Sequence, residues 1–177
     1  MNLLKDVEIG DKFPEEVNVV IEIPKGSVNK YEYDNEKGVF RLDRVLHSAV
    51  FYPADYGFIP QTWFDDNDPI DVLVLVNYPT FPGCVMKARP VALMKMEDEK
   101  GTDDKIVMVP VKDPRFGEIK DLDDIPKHIR DEITEFFETM KNLEKGKWVK
   151  VKSWGKASEA KKVIERAAEI YKKKFGG

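Results

Sequence analysis

Cysteine and histidine are nearly missing from this chain. Its 177 residues include one cysteine, Cys84, and two histidines, His47 and His128. A lone thiol excludes an internal disulfide framework and fits a reducing compartment. So few nitrogen and sulfur donors argue against a dedicated zinc site. No apolar run approaches the ~20 residues of a membrane span, and the opening Met1-Asn2-Leu3-Leu4-Lys5-Asp6 lacks the apolar core of a secretion signal. The expectation is a cytoplasmic, soluble protein without a membrane partner. Positive charge is not in excess either: 29 Lys and Arg face 33 Asp and Glu, a formal net charge of -4. That balance argues against a general binder of nucleic acid. It leaves room for an anionic substrate received by metal ions or by a local basic cluster.

What is present is acid. Asp65-Asp66-Asn67-Asp68-Pro69-Ile70-Asp71 places four carboxylates in seven residues, and the apolar run Val72-Leu73-Val74-Leu75-Val76 follows. Pro69 breaks any helix and restricts Asp68 to extended or turn geometry. The acids therefore belong on a loop at the mouth of a strand. Carboxylates this close repel unless solvent separates them or cations neutralise them. Oxygen donors suit hard ions such as Mg²⁺, Ca²⁺ or Mn²⁺. An EF-hand fails: counted from Asp66, position six is Asp71 rather than Gly and position twelve Asn77 rather than Glu.

The length suits one domain, 1–177, with a real core. Residues 1–15 read as a short helix or coil. Val17 to Ile23 reads as a strand interrupted by Glu22. Lys30-Tyr31-Glu32-Tyr33 alternates and pairs with Val39-Phe40-Arg41-Leu42 as a hairpin, with Arg44 just beyond. The aromatic stretch Phe51 to Pro60 reads as a structured loop. A strand over 71–76 follows, then strands within 85–96 bent near Pro90, an acidic loop over 97–104, and a strand over 105–111. Ile129, Ile133, Phe136, Phe137, Met140 and Leu143 follow helical spacing, with Asp124 as the expected N-cap. Trp148 to Val151 reads as a closing strand and Ala157 to Phe175 as a second amphipathic helix. Strands first and helices last predict an α+β, mainly β fold: a small closed barrel with two C-terminal helices packed on it.

Three acidic sets, Glu22 with Glu32, Asp66 with Asp68 and Asp71, and Asp98-Glu99 with Asp103-Asp104, are interleaved with Lys30, Arg44, Lys105, Lys141, Tyr52 and Tyr56. Taken singly, each has a plain reading. Lys30 and Glu32 would be an exposed ion pair, the tyrosines packing rings, and the acids solvated turns. Together they are what phosphoryl transfer needs: acids for metal ions, cations and phenols for phosphate oxygens.

Asp66-Asn67-Asp68-Pro69-Ile70-Asp71-Val72 resembles the D-x-D-P-x-D-V signature of family I soluble inorganic pyrophosphatases of the short, prokaryotic type. The resemblance runs on through Val20 to Pro24, Lys30-Tyr31-Glu32, Leu42-Asp43-Arg44, Phe51 to Gly57, Lys95 to Glu99, and Phe136 to Trp148. It implies an OB-like five-stranded closed barrel that hydrolyses pyrophosphate to two orthophosphates with several Mg²⁺ ions, Mn²⁺ or Zn²⁺ substituting. It implies that Asp66, Asp71 and Asp103 hold a metal pair that activates water, that Asp98 and Asp103 hold an ion arriving with substrate, and that Glu32 holds a further one. Asp68 would be the general base. Lys30, Arg44, Tyr56, Lys105 and Lys141 would hold phosphate oxygens, with Glu22, Tyr52 and Glu99 supporting. A homohexamer is implied as well. The chain departs from the family at Met140-Lys141, where the usual pair is Tyr-Lys. Met140 cannot donate to phosphate, and its place at Phe136 plus four gives it a packing role. The runner-up is an OB-like module binding nucleotides or oligonucleotides without turnover. A Ca²⁺-stabilised structural protein is the third reading.

Overall fold

The fold is described from a computed structural model covering residues 1–64 and 66–176. Its strands are β1 (Val17–Ile23), β2 (Asn29–Asp34), β3 (Val39–Val45), β4 (Asp55–Phe58), β5 (Asp71–Val74), β6 (Val85–Asp98), β7 (Gly101–Thr102), β8 (Lys105–Pro110) and β9 (Val149–Lys156). The helices are α1 (Lys127–Thr139) and α2 (Ala157–Phe175).

Strand β1 pairs antiparallel with both β4 and β6, β4 with β5, and β6 with β8. The pair β5–β8 is parallel. The pairing returns to β1 and closes a ring of five strands, the expected OB-like barrel with its two helices. Strand β9 extends β6 outside the ring, and β2–β3 forms a separate two-stranded sheet. The bend near Pro90 is a bulge within one long strand rather than a break between two.

Strands β5 and β8 are apolar on both faces because both faces are covered, as parallel pairs require. Val72, Val74, Ile106 and Met108 pack in the cluster that receives Ala160, Ile164 and Ala167 of α2. Leu73, Val107 and Val109 point the other way, into the cluster that receives Ile133, Phe136 and Phe137 of α1. Unbroken apolar runs are thus the mark of a strand between two cores.

Four expectations are corrected. The 51–60 stretch contains β4: Asp55-Tyr56-Gly57-Phe58 is fully buried and paired on both sides. Asp124 does not cap α1. It accepts the N–H groups of Lys120 and Asp121 in a short 3-10 turn, and Pro126 occupies the cap position of the helix. Helix α1 stops at Thr139 with Met140 as C-cap, so Leu143, with the right spacing but beyond the end, is 69% exposed. The 97–104 stretch is the end of β6 folding back on β7 rather than an open loop.

Gly57 is required by close approach. A Cβ there would lie 1.9 Å from the Val20 carbonyl oxygen on β1. Gly57→Ala is expected to force β4 from β1 and cost about 3 kcal/mol, the upper end for overpacking. The urea unfolding midpoint measures this, and an unchanged midpoint would mean that the two strands can part without loss.

Candidate active site

The parallel pair sets the site. Val72 lies opposite Ile106, so the residues just before them, Asp71 and Lys105, emerge side by side at one end of the ring. The Lys105 ammonium donates to Asp71 at 2.6 Å and also to Asp103. Lys105 is only 3% exposed. Burial alone would lower its pKa, but the charges of Asp71 and Asp103 outweigh that and raise it, so it stays cationic.

The acid loop reaches this end through local hydrogen bonds. Asn67 takes the left-handed conformation, φ 66°, which asparagine tolerates better than most residues. Asp68 N–H donates to Asp66 Oδ1 at 3.1 Å, and Phe64 N–H to the Asp68 carbonyl at 2.8 Å. Thr62, fully buried, donates to the Ile59 carbonyl and accepts from Ile70 N–H, so Pro69 and Ile70 enter β5 from a fixed point. Asp65, part of the acidic stretch, lies outside the described residues.

Every predicted site residue except Glu22 lines one cavity of about 450 Å³. Glu22 lines a smaller neighbour of about 150 Å³, which shares Lys30, Glu32, Tyr56, Asp68 and Asp71 with the first. Lys30 on β2 stands across from Arg44 on β3. Lys30 pairs with Glu32 and, at 3.3 Å, with Asp43, which also accepts from Arg44 Nη1 at 2.6 Å. Lys141, two residues beyond α1, donates to Asp98 at 2.8 Å and lies 3.4 Å from Glu99. Tyr52 and Tyr56 are buried with ring centroids 5.5 Å apart, and Tyr52 also packs on Phe136 at 4.8 Å. Met140 is buried in the α1 cluster and also forms part of the cavity wall. Asp104 turns away, accepting the Met96 N–H.

Sequence reasoning passed over Asp43, Lys100, Thr102 and Lys147, which also line the cavity. Asp43 and Lys147 carry a signal, each lying in a stretch that resembles the family.

The electrostatics show surplus negative charge. Asp68 is exposed as a residue, but its carboxyl is crowded by protein. That desolvation, then the charges of Asp71 and Asp66, push its pKa up to about 6. Burial is also the main cause raising Asp66. Burial drives up both tyrosine hydroxyls, so they remain donors. For Asp98, burial would raise the pKa, but the hydrogen bonds from Lys141 and the Lys100 N–H prevail and lower it.

Among the described residues no three acids converge on one point. Instead Lys30, Lys105 and Lys141 each lie against two carboxylates. An all-oxygen donor set with its charge only partly balanced by lysine fits hard divalent cations.

Glu22 extends the same pattern. It accepts Tyr33 N–H at 2.7 Å, and burial raises its pKa from 4.5 to about 8. Its folded pKa lies above its unfolded one, so its contribution to stability is fully present below about pH 4.5 and lost as pH rises through about 8. In chelator, Glu22→Gln is therefore expected to match the parent at pH 4 and exceed it by about 2–4 kcal/mol at pH 9. Urea titrations at the two pH values test this, and parallel curves for the two proteins would contradict it.

A model of the inorganic pyrophosphatase family matches residues 19–172. The chain belongs to that family. The inorganic pyrophosphatase of Haloferax volcanii is 57% identical over 175 residues, covering 99% of each chain. That of Thermus thermophilus is 51% identical over 171 residues, covering 96% of this chain and 98% of its own. The crystal structure of the Thermus thermophilus inorganic pyrophosphatase superposes with a TM-score of 0.95 at 50% identity, covering 97% of this chain and 99% of its own. A Helicobacter pylori inorganic pyrophosphatase superposes at 0.91 with 46% identity, covering 94% and 99%. Among the described residues no helix is long and apolar enough to cross a membrane.

Proposed function

We propose that the cavity hydrolyses inorganic pyrophosphate to two orthophosphates with the help of divalent metal ions, Mg²⁺ foremost. Family membership over nearly the whole chain supports the reaction. One observation carries the mechanism: carboxylates from three segments and cations from three segments share a single cavity.

Asp66, Asp71 and Asp103 would hold a pair of ions, Asp98 and Asp103 one that enters with substrate, and Glu32 a further one. Bound there, the ions supply neutralisation of phosphate charge and a more acidic water. The chain supplies the rest. Asp68 accepts the proton of the attacking water, and its position near neutral pKa suits that task. A bond forms from that water oxygen to one phosphorus while the bond from this phosphorus to the bridging oxygen breaks, in line. Lys30, Arg44, Lys105 and Lys141 hold phosphate oxygens as charge moves to the leaving group, and Tyr56, kept protonated by burial, donates to another. Glu22, Tyr52 and Glu99 brace these groups.

Phosphate release from pyrophosphate, with Mg²⁺ and then with excess chelator, tests the reading. Rapid release that the chelator abolishes is expected. A folded protein that releases none with Mg²⁺ present would overturn it. The oligonucleotide-binding alternative is not favoured, because its groove would be basic and this one is lined by acids. We further place the protein in the cytoplasm as a homohexamer.

A further inference from the structure

Glu144 has no role among the predicted site residues, yet it is among the most buried acids of the described residues. Its side chain is 5% exposed. Its Oε1 lies 3.1 Å from Arg44 Nε and 3.0 Å from Lys147 Nζ, and both of those side chains line the cavity. Its backbone is tied into the turn beyond α1: Glu144 N–H donates to the Lys141 carbonyl at 2.9 Å, and Lys147 N–H to the Glu144 carbonyl at 3.2 Å.

Arg44 needs such a partner. It stands on β3, in a two-stranded sheet that shares no backbone ladder with the ring. Asp43, its neighbour in sequence, holds Nη1 at 2.6 Å but moves with the same strand. Glu144 comes from the far side, a hundred residues along the chain, and engages Nε. A guanidinium hydrogen-bonded at Nη1 by one carboxylate and in ion-pair contact at Nε with a second has less freedom to turn than one held from a single side. The same carboxylate joins the hairpin that carries Lys30 and Arg44 to the turn that carries Lys141.

We propose that Glu144 is a positioning residue for pyrophosphate binding: it fixes the Arg44 guanidinium and ties the β2–β3 hairpin to the Lys141 turn, so that cations from both arms meet one substrate. This rests on the reading of Arg44 as a holder of phosphate oxygens. Glu144 does not touch the substrate. Buried burden also supports the assignment: an acid this enclosed is costly unless its charge is used.

The test is a set of steady-state measurements on the full chain with Mg²⁺, comparing Glu144→Gln, Arg44→Ala, the double variant, and Lys147→Ala alone and combined with Glu144→Gln. Glu144→Gln keeps the shape and removes the charge. KM for pyrophosphate is expected to rise about tenfold, the low end for losing one close charge pair, with kcat within about twofold. In the Arg44→Ala background the same change is expected to add nothing to KM. Glu144→Asp, which keeps the charge on a shorter arm, is expected to raise KM less than Gln does. Should Glu144→Gln fail to fold, Glu144→Asp decides alone, and an unchanged KM there would refute the proposal. A lower melting temperature with unchanged KM would also refute it, as would an effect that persists in Arg44→Ala or that vanishes when Glu144→Gln is combined with Lys147→Ala. If Arg44→Ala leaves KM unchanged, the phosphate reading of Arg44 fails and takes this inference with it. If Arg44→Ala raises KM and Glu144→Gln does not, only the role of Glu144 fails.

Discussion

Replacing Asp68 with Asn is expected to lower turnover by roughly 10²–10⁴, the usual worth of a positioned base, while leaving the fold intact. Asp68 packs into no core, and the hydrogen bonds it makes in its turn use its backbone N–H and carbonyl, which Asn retains. What Asn loses is the ability to take a proton. The crowding and the Asp71 and Asp66 charges that raise Asp68 to about 6 also make it a stronger base than a free carboxylate. The sign follows: the active form is ionised, so turnover is held above that pKa and falls as pH drops through it. Bound cations favour the ionised form and move this limb to lower pH. The Asn variant is expected to lose the limb as well as the rate. A pH series of kcat in saturating Mg²⁺ reads both, and a variant with the parent rate would remove Asp68 from the role of base.

The second large effect is expected at Lys105. Lys105→Met keeps volume and apolar contact but leaves Asp71 and Asp103 without the ammonium between them. Breaking a buried ion pair from one side costs about 3–5 kcal/mol, because the remaining charge is stranded. For a chain of this length that lowers the melting temperature by about 10 °C in chelator. Mg²⁺ is expected to restore part of the loss, since ions that bind only the folded form stabilise it and would neutralise the same two carboxylates. Differential scanning calorimetry with and without Mg²⁺ measures this. Equal melting temperatures of parent and variant in chelator would show that the pair contributes no net stability. Pyrophosphate turnover of the variant should fall too, for Lys105 lines the cavity.

Much of this arrangement can be read from the chain, for reasons that differ by element. The β2–β3 hairpin and α2 carry their own periodicity, because each has one face on a core and one outside it, while β1, buried on both faces, is legible as a run of β-branched residues. β5 and β8 are legible as unbroken apolar runs. β4 is hidden: it is four residues long, its Gly57 reads as a turn, and the aromatics around it suggest a loop. The closure of the ring through β1 and β6 has no local signal, since residues some seventy positions apart make it. In the site, the acids announce themselves by repetition within a few residues and by the motif they form. Glu144 does not. It follows a helix among lysines and looks like a solvated acid; only the fold turns it inward onto Arg44.

The parallel pairing of β5 with β8 limits how the chain length can vary. The two strands begin level with each other, and that alignment is what sets Asp71 beside Lys105. An extra residue in the exposed stretch around Tyr78 and Phe81 would lengthen a surface turn and leave the alignment alone. An extra residue between Pro69 and Val72 would slide the acids one step past their lysine, and because strand faces alternate it would turn a carboxylate into the core and a valine toward the cavity. Insertions and deletions should therefore be accepted at the turns of this ring and refused in the few positions where its two parallel strands begin.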